Sequence, residues 1–145
     1  MADAVRCRVE SARVRTGKAE ALTRLIHQLF NRRHLSYVAS SDRAWLRAEL
    51  VQSLRRQSTV YRAMSTPTEG PLPFGLGYFR VREDRLEPVS DAIPVDDAEA
   101  LVRLISEFVE PGARLYFGDG EEAEAWRIDG VNAIAPLSVT GQRFG

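Results

Sequence analysis

The segment Ala12-Arg13-Val14-Arg15-Thr16-Gly17-Lys18-Ala19 lies between an expected strand and an expected helix and closes on Gly-Lys, as a phosphate-cradling loop does. Such a loop needs a hydroxyl after the lysine to meet magnesium, and a backbone free to curl around the phosphate. Here Ala19 follows the lysine, Ala12 takes the place of the first glycine, and Val14 sets a β-branch inside the curl. Nucleotide hydrolysis fails on residue type. Gly75-Leu76-Gly77 fails as a dinucleotide fingerprint because its glycines open a strand rather than a helix, and it reads as a flexible approach to the sheet.

Other reactive side chains are sparse. His27 and His34 are seven residues apart, too far for a zinc pair on one helix, with His27 on or beside the apolar face. Cys7 is the only cysteine, and its apolar-alternating surroundings predict a buried, inert thiol. Asp119, Glu121, Glu122 and Glu124 lack the alternating oxygen ligands of a calcium loop and read as a solvated turn. No Gly-x-Ser-x-Gly elbow is present, and Asp96 and Asp97 read as a helix cap rather than an acid–base pair. No catalytic residue, metal or cofactor is assigned.

What remains is arginine. Of the twenty basic residues in this 145-residue chain only Lys18 is a lysine, a bias that a GC-rich genome's codon usage produces. Net charge is zero, yet residues 1–66 hold thirteen basic against five acidic side chains and residues 67–145 hold seven against fifteen. The halves therefore carry +8 and −8. Segregation on this scale speaks to partners rather than to fold. Arg32, Arg33, Arg43, Arg47, Arg55, Arg56 and Arg62, with Tyr37 and Trp45 among them, have the chemistry to meet carboxylates or to track a phosphate backbone. The opposing expectation is that the acidic 83–99 and 119–124 segments neutralise them within the fold.

The elements that must position these side chains follow from periodicity. Val5, Cys7 and Val9 alternate with charged residues as in a half-buried strand, and the phase slips near Ser11–Ala12. Thr16 is the expected cap of a helix carrying Leu22, Leu25, Ile26, Leu29 and Phe30. Ser40, Ser41 and Asp42 are expected to cap a second helix running to about residue 64. Its apolar seam is Leu46, Leu50, Leu54, Tyr61 and Met64, with Arg43, Arg47, Arg55 and Arg62 on a flanking arc and a fray or kink expected at Gln57-Ser58-Thr59. Prolines and glycines then crowd residues 65–77.

Beyond that break the pattern turns to strands. Tyr78–Val81 begins one, Glu83-Asp84-Arg85 turns, and Leu86–Val95 returns as an edge or irregular strand because of Pro88 and Pro94. Asp96 is the expected cap of a helix striped by Leu101, Val102, Leu104, Ile105, Phe108 and Val109 and ended by Pro111-Gly112. Leu115–Phe117, a strand with Trp126 and Ile128, an Asp129-Gly130 turn and Val131–Leu137 complete the set.

The expected fold class is α+β, in the order β-α-α then β-β-α-β-β-β, with a largely antiparallel sheet and helices on one face. One domain over 1–145 is expected: a basic half 1–64, a crossover 65–77, an acidic β-rich half 78–139 and an irregular tail 140–145. A cytoplasmic home without a membrane span follows from the absence of a long apolar run. The functional expectation is a non-catalytic interaction or regulatory protein of bacterial type, such as an inhibitor, immunity-like or accessory protein. Its partner-binding residues are Arg43, Trp45, Arg47, Arg55 and Arg62, and its partner is an acidic protein surface. The alternatives are a nucleic-acid-binding protein using the same arginines and an enzyme with a dispersed site near loop 65–77. Self-association through the complementary charged halves is a further expectation.

Overall fold

The computed structural model describes residues 4–37, 44–64, 72–119 and 123–138. Strand β1 (Ala4–Glu10) leads to helix α1 (Ala19–Asn31), a 3-10 turn over Arg33–Tyr37, and helices α2 (Ala44–Gln57) and α3 (Thr59–Ala63). A second 3-10 turn, Phe74–Tyr78, runs into β2 (Phe79–Arg82), β3 (Arg85–Pro88) and β4 (Ala92–Pro94). Helix α4 (Ala98–Ile105) precedes β5 (Arg114–Phe117), β6 (Glu124–Gly130) and β7 (Ala133–Leu137). The fold is α+β. A five-stranded sheet has the order β4-β1-β5-β6-β7 with every neighbouring pair antiparallel, and β2–β3 forms a separate hairpin.

The register explains the layers. Val5, Cys7 and Val9 alternate inward, while Cys7 pairs with Phe117 and Val9 with Leu115, so the same face continues into β5. Trp126 and Ile128 extend that face through β6, and all of these side chains belong to or pack on one apolar cluster. The cluster takes Leu22, Leu25, Ile26 and Leu29 from α1, Leu50, Val51 and Leu54 from α2, and Leu101, Val102, Leu104 and Ile105 from α4. The opposite face carries Arg8, Glu10 and Tyr116. There the Arg8 guanidinium lies 4.5 Å from the Tyr116 ring centre and the Tyr116 hydroxyl donates to Glu10 Oε1 at 3.0 Å.

Several boundaries differ from their expected places, each for a local reason. Phase is lost after β1 at Ser11, whose φ is 57°. Thr16 caps nothing: α1 starts behind Lys18 without a side-chain cap, after Gly17 at φ 82°. The helix expected over 42–64 breaks in two at Ser58, whose extended backbone ends α2 and whose hydroxyl accepts from the Tyr61 N–H to cap α3. Residues 38–43, with the Ser40–Asp42 cluster, lie outside the described residues. The return strand 86–95 divides into β3 and β4, which join different sheets, and β4 with Pro94 is an edge strand. Asp97 rather than Asp96 caps α4, accepting from the Ala100 N–H at 3.1 Å. The helix stops at Ile105 instead of reaching Pro111, because Val109 bridges to Val14 and the Phe108 carbonyl accepts from the Arg15 N–H. In the last hairpin Gly130 pairs with Ala133, so Val131-Asn132 makes the turn, with Asn132 at φ 56° and a bulge at Asp129.

Candidate functional site

Helices α2 and α3 place the sequence's arginines. Leu50, Val51 and Leu54 anchor α2 to the core at helical spacing, which turns Trp45, Gln52, Arg55 and Arg56 outward. Trp45 is 60% exposed, the most solvent-facing of the large apolar side chains among the described residues. Arg55 and Arg62 are both exposed, and Arg62 Nε donates to the Arg55 carbonyl oxygen at 2.9 Å. That bond spans the break at Ser58 and ties the Arg62 guanidinium to the Arg55 backbone. Arg47 is half-buried on α2, and Arg43 lies outside the described residues. Thus the structure brings Arg55 and Arg62 together, shows Trp45 on the same exposed helix, and seats Arg47 lower.

Among the described residues, the acidic half forms no ion pair with Arg55, Arg56 or Arg62. Among the described residues, the ion pairs that join the two halves are Arg6–Asp119 at 3.4 Å and Arg13–Glu110 at 3.7 Å, both away from α2 and α3. Other acids of the second half turn to their own neighbours: Glu87 to Arg80 and Arg82, Glu99 to Arg103, and Asp129 to Arg127. Arg55, Arg56 and Arg62 form no ion pair among the described residues, and Glu49 is the only acid on α2 and α3.

One carboxylate that the sequence pattern did not single out is buried beneath this surface. Glu107 follows α4, is 7% exposed, and its Oε1 accepts from Ser58 Oγ at 2.7 Å and from the Val60 N–H at 2.9 Å. The α3 N-terminus is thereby tied to the second half. The only sequence signal for it is Ser58 interrupting a helical stripe.

The remaining candidates resolve by geometry. In the Gly-Lys segment the amides of Val14, Arg15 and Lys18 donate to the Asp84, Phe108 and Arg15 carbonyls, so three of its N–H groups are already engaged within the fold. Gly75 and Gly77 are not a flexible approach; both are buried where a Cβ would come within 2.9 Å of the Pro94 carbonyl oxygen and 2.8 Å of the Phe30 backbone nitrogen, respectively. His27 and His34 are exposed. Cys7 is buried, and burial pushes its thiol up to about 12, which removes the thiolate needed for reactivity. No group of three His, Cys, Asp or Glu side chains able to hold a metal occurs among the described residues. Of the acidic loop, Asp119 pairs with Arg6 and Glu124 accepts from Trp126 Nε1, while residues 120–122 lie outside the described residues.

Near the 65–77 segment, of which 72–77 are described, Met64, Leu72, Pro73 and Gly75 line a pocket of about 390 Å3 with Asp96, Asp97 and Glu99 at its edge. Among the described residues its lining holds no serine, cysteine, histidine or lysine. Asp97 is occupied as the α4 cap, and Glu99 lies 3.8 Å from Arg103. Among the described residues, no serine, cysteine or lysine is set beside a base there.

No protein-family model, curated protein or solved structure matches the chain. None of the helices among the described residues is long and apolar enough to cross a membrane.

Proposed function

We propose that this chain is a non-catalytic binding protein that meets an acidic protein surface through α2 and α3. The observation that carries this reading is a 60% exposed Trp45 on the helix pair that also presents exposed Arg55 and Arg62, which form no ion pair among the described residues. Tryptophan and arginine dominate binding hot spots because each combines large contact area with directional polar groups. Arg55 and Arg62 supply the charge, Trp45 the apolar anchor, and Arg47 the extension along α2, with Arg43 as the further contact expected from the sequence. An inhibitor, immunity-type or accessory role fits a domain whose exposed chemistry is recognition. Capture from nuclease-treated lysate of the encoding organism tests the reading, with Arg55→Glu/Arg62→Glu as the control variant. The expected result is a protein retained by the wild type and lost by the variant, while the melting temperature changes little, because exposed charge pairs contribute only about 0–1 kcal/mol. Retention that survives the charge reversal would remove the assignment.

Nucleic acid is the alternative occupant of the same arginines, and its signature differs. Contacts to phosphates release counterions, so affinity would fall steeply with salt. Anisotropy of labelled RNA and DNA at low salt separates the two readings: tight binding there, abolished by the same charge reversal, would transfer the surface to nucleic acid.

A further inference from the structure

Helices α1 and α2 enclose a cleft of about 350 Å3 whose walls include Arg32 from the end of α1 and Arg56 from α2. Neither guanidinium makes an ion pair or hydrogen bond among the described residues, and Glu49, the one acid on the rim, pairs with neither. Between them lies Ser53. Its hydroxyl oxygen accepts from Gln28 Nε2 at 2.6 Å and from Gln57 Nε2 at 2.8 Å. Gln57 Nε2 also donates to Gln28 Oε1, so the three side chains form a closed network. The network holds the Ser53 side chain between the two arginines on the cleft wall. The cleft is thus lined by two cationic forks, and among the described residues neither is engaged by an acceptor.

We infer that this cleft is an oxyanion site that takes a carboxylate side chain of the acidic partner. Two like charges held on one cleft repel each other, and an anion between them converts that repulsion into two charge-assisted hydrogen bonds. The planar fork of arginine matches the two oxygens of a carboxylate. Arg32, Arg56 and Glu49 leave a net of one positive charge, which a monoanion neutralises and a phosphate dianion would overshoot, and the acidic protein partner read for α2 makes that monoanion a carboxylate. The inference rests on the reading of α2 as the partner-facing helix and adds an anchor position to it. Arg55 and Arg62 do not line the cleft, so the two can be separated.

A fluorescein-labelled peptide of alternating glutamate and glycine, titrated at low ionic strength by anisotropy, is the probe. The wild-type chain is expected to bind it, and Arg32→Gln/Arg56→Gln to bind it at least about tenfold more weakly, the effect of losing about 1.4 kcal/mol. Arg56→Gln alone, at an exposed side chain with no hydrogen bond to lose, keeps the test valid if the double variant unfolds, with a loss of about threefold or more expected. Wild-type affinity in a folded Arg32→Gln/Arg56→Gln chain would overturn the cleft. If Arg55→Glu/Arg62→Glu abolishes binding while Arg32→Gln/Arg56→Gln keeps wild-type affinity, the partner surface stands and the cleft falls; if the wild type ignores the peptide, both fall. Displacement of the peptide by inorganic phosphate at concentrations where acetate has no effect would overturn the carboxylate assignment.

Discussion

A carboxylate in an apolar interior is tolerated only when hydrogen bonds replace its water, and Glu107 has two such bonds, from Ser58 Oγ and the Val60 N–H. Hydrogen bonds to a charged group contribute about 1.5–3 kcal/mol, so Glu107→Ala should lower stability by about 2–3 kcal/mol in urea unfolding. Glu107→Gln, which keeps an acceptor oxygen, should lose less. Equal stability of wild type and Glu107→Ala would show that α3 does not depend on this anchor. Cys7 sets a pH dependence whose sign follows from its burial. The unfolded thiol ionises above its ordinary value of 9.0, while the native one keeps its proton up to about 12, so between these the native state binds more protons. Its contribution is complete below pH 9.0 and declines as pH rises toward about 12. The urea midpoint should therefore fall more steeply with pH in the wild type than in Cys7→Ala over that window. Parallel slopes would refute the assignment of burial to the thiol.

At the level of elements, packing decided what local pattern left open. The stripes of α1 and α4 and the three hairpins were legible, because 3.6-residue and two-residue periods report directly which side faces the core. The ends were less so. Asp96 and Asp97 are equivalent as capping residues in sequence, and only the backbone path selects Asp97. Phe108 and Val109 continue the α4 stripe, yet contacts with Arg15 and Val14 pull them out of the helix. Gly77 gives the clearest test at this scale. It brings the Phe74–Tyr78 turn against α1 so closely that a Cβ would lie 2.8 Å from the Phe30 nitrogen and 2.9 Å from its Cα. Backbone atoms cannot swing aside as a side chain can, so Gly77→Ala should cost about 1–3 kcal/mol, the range for overpacking. A thermal melt matching wild type would mean that the turn and α1 separate more freely than this geometry implies.

For the molecule as a whole, the charge boundary is not a structural boundary. Strand β1 comes from the basic half but lies between β4 and β5, both from the acidic half. The apolar cluster likewise joins Leu22, Leu25 and Leu54 to Leu104, Leu115 and Ile128. Residues 1–66 would expose their helix stripes, and residues 72–145 would lack the strand that joins β4 to β5. Neither fragment should show a cooperative melt, whereas mixing them should restore one. Two independent transitions from the isolated fragments would show instead that the halves fold separately. Charge reversal at Arg55 and Arg62 belongs to the same scale: it alters the field that a partner meets while leaving this shared core untouched.

Composition, periodicity and turn residues determined the α+β class, most elements and the charge contrast, because these depend on side-chain type and near neighbours. They also set the arginines along one expected helix, which the structure divides at Ser58 into α2 and α3. Whether those arginines were exposed or used inside the fold was beyond them, since that depends on which acids come near in space. Tertiary structure decided it by sending Glu87, Glu99 and Asp129 to other arginines and leaving Arg55 and Arg62 at the surface. It also brought Arg32 and Arg56 onto one cleft across a separation in sequence that no periodicity spans. Glu107 was equally hidden: its partner Ser58 lies on a distant part of the chain, and only the packing of α3 beside the end of α4 makes an ordinary acidic residue the cap of another helix.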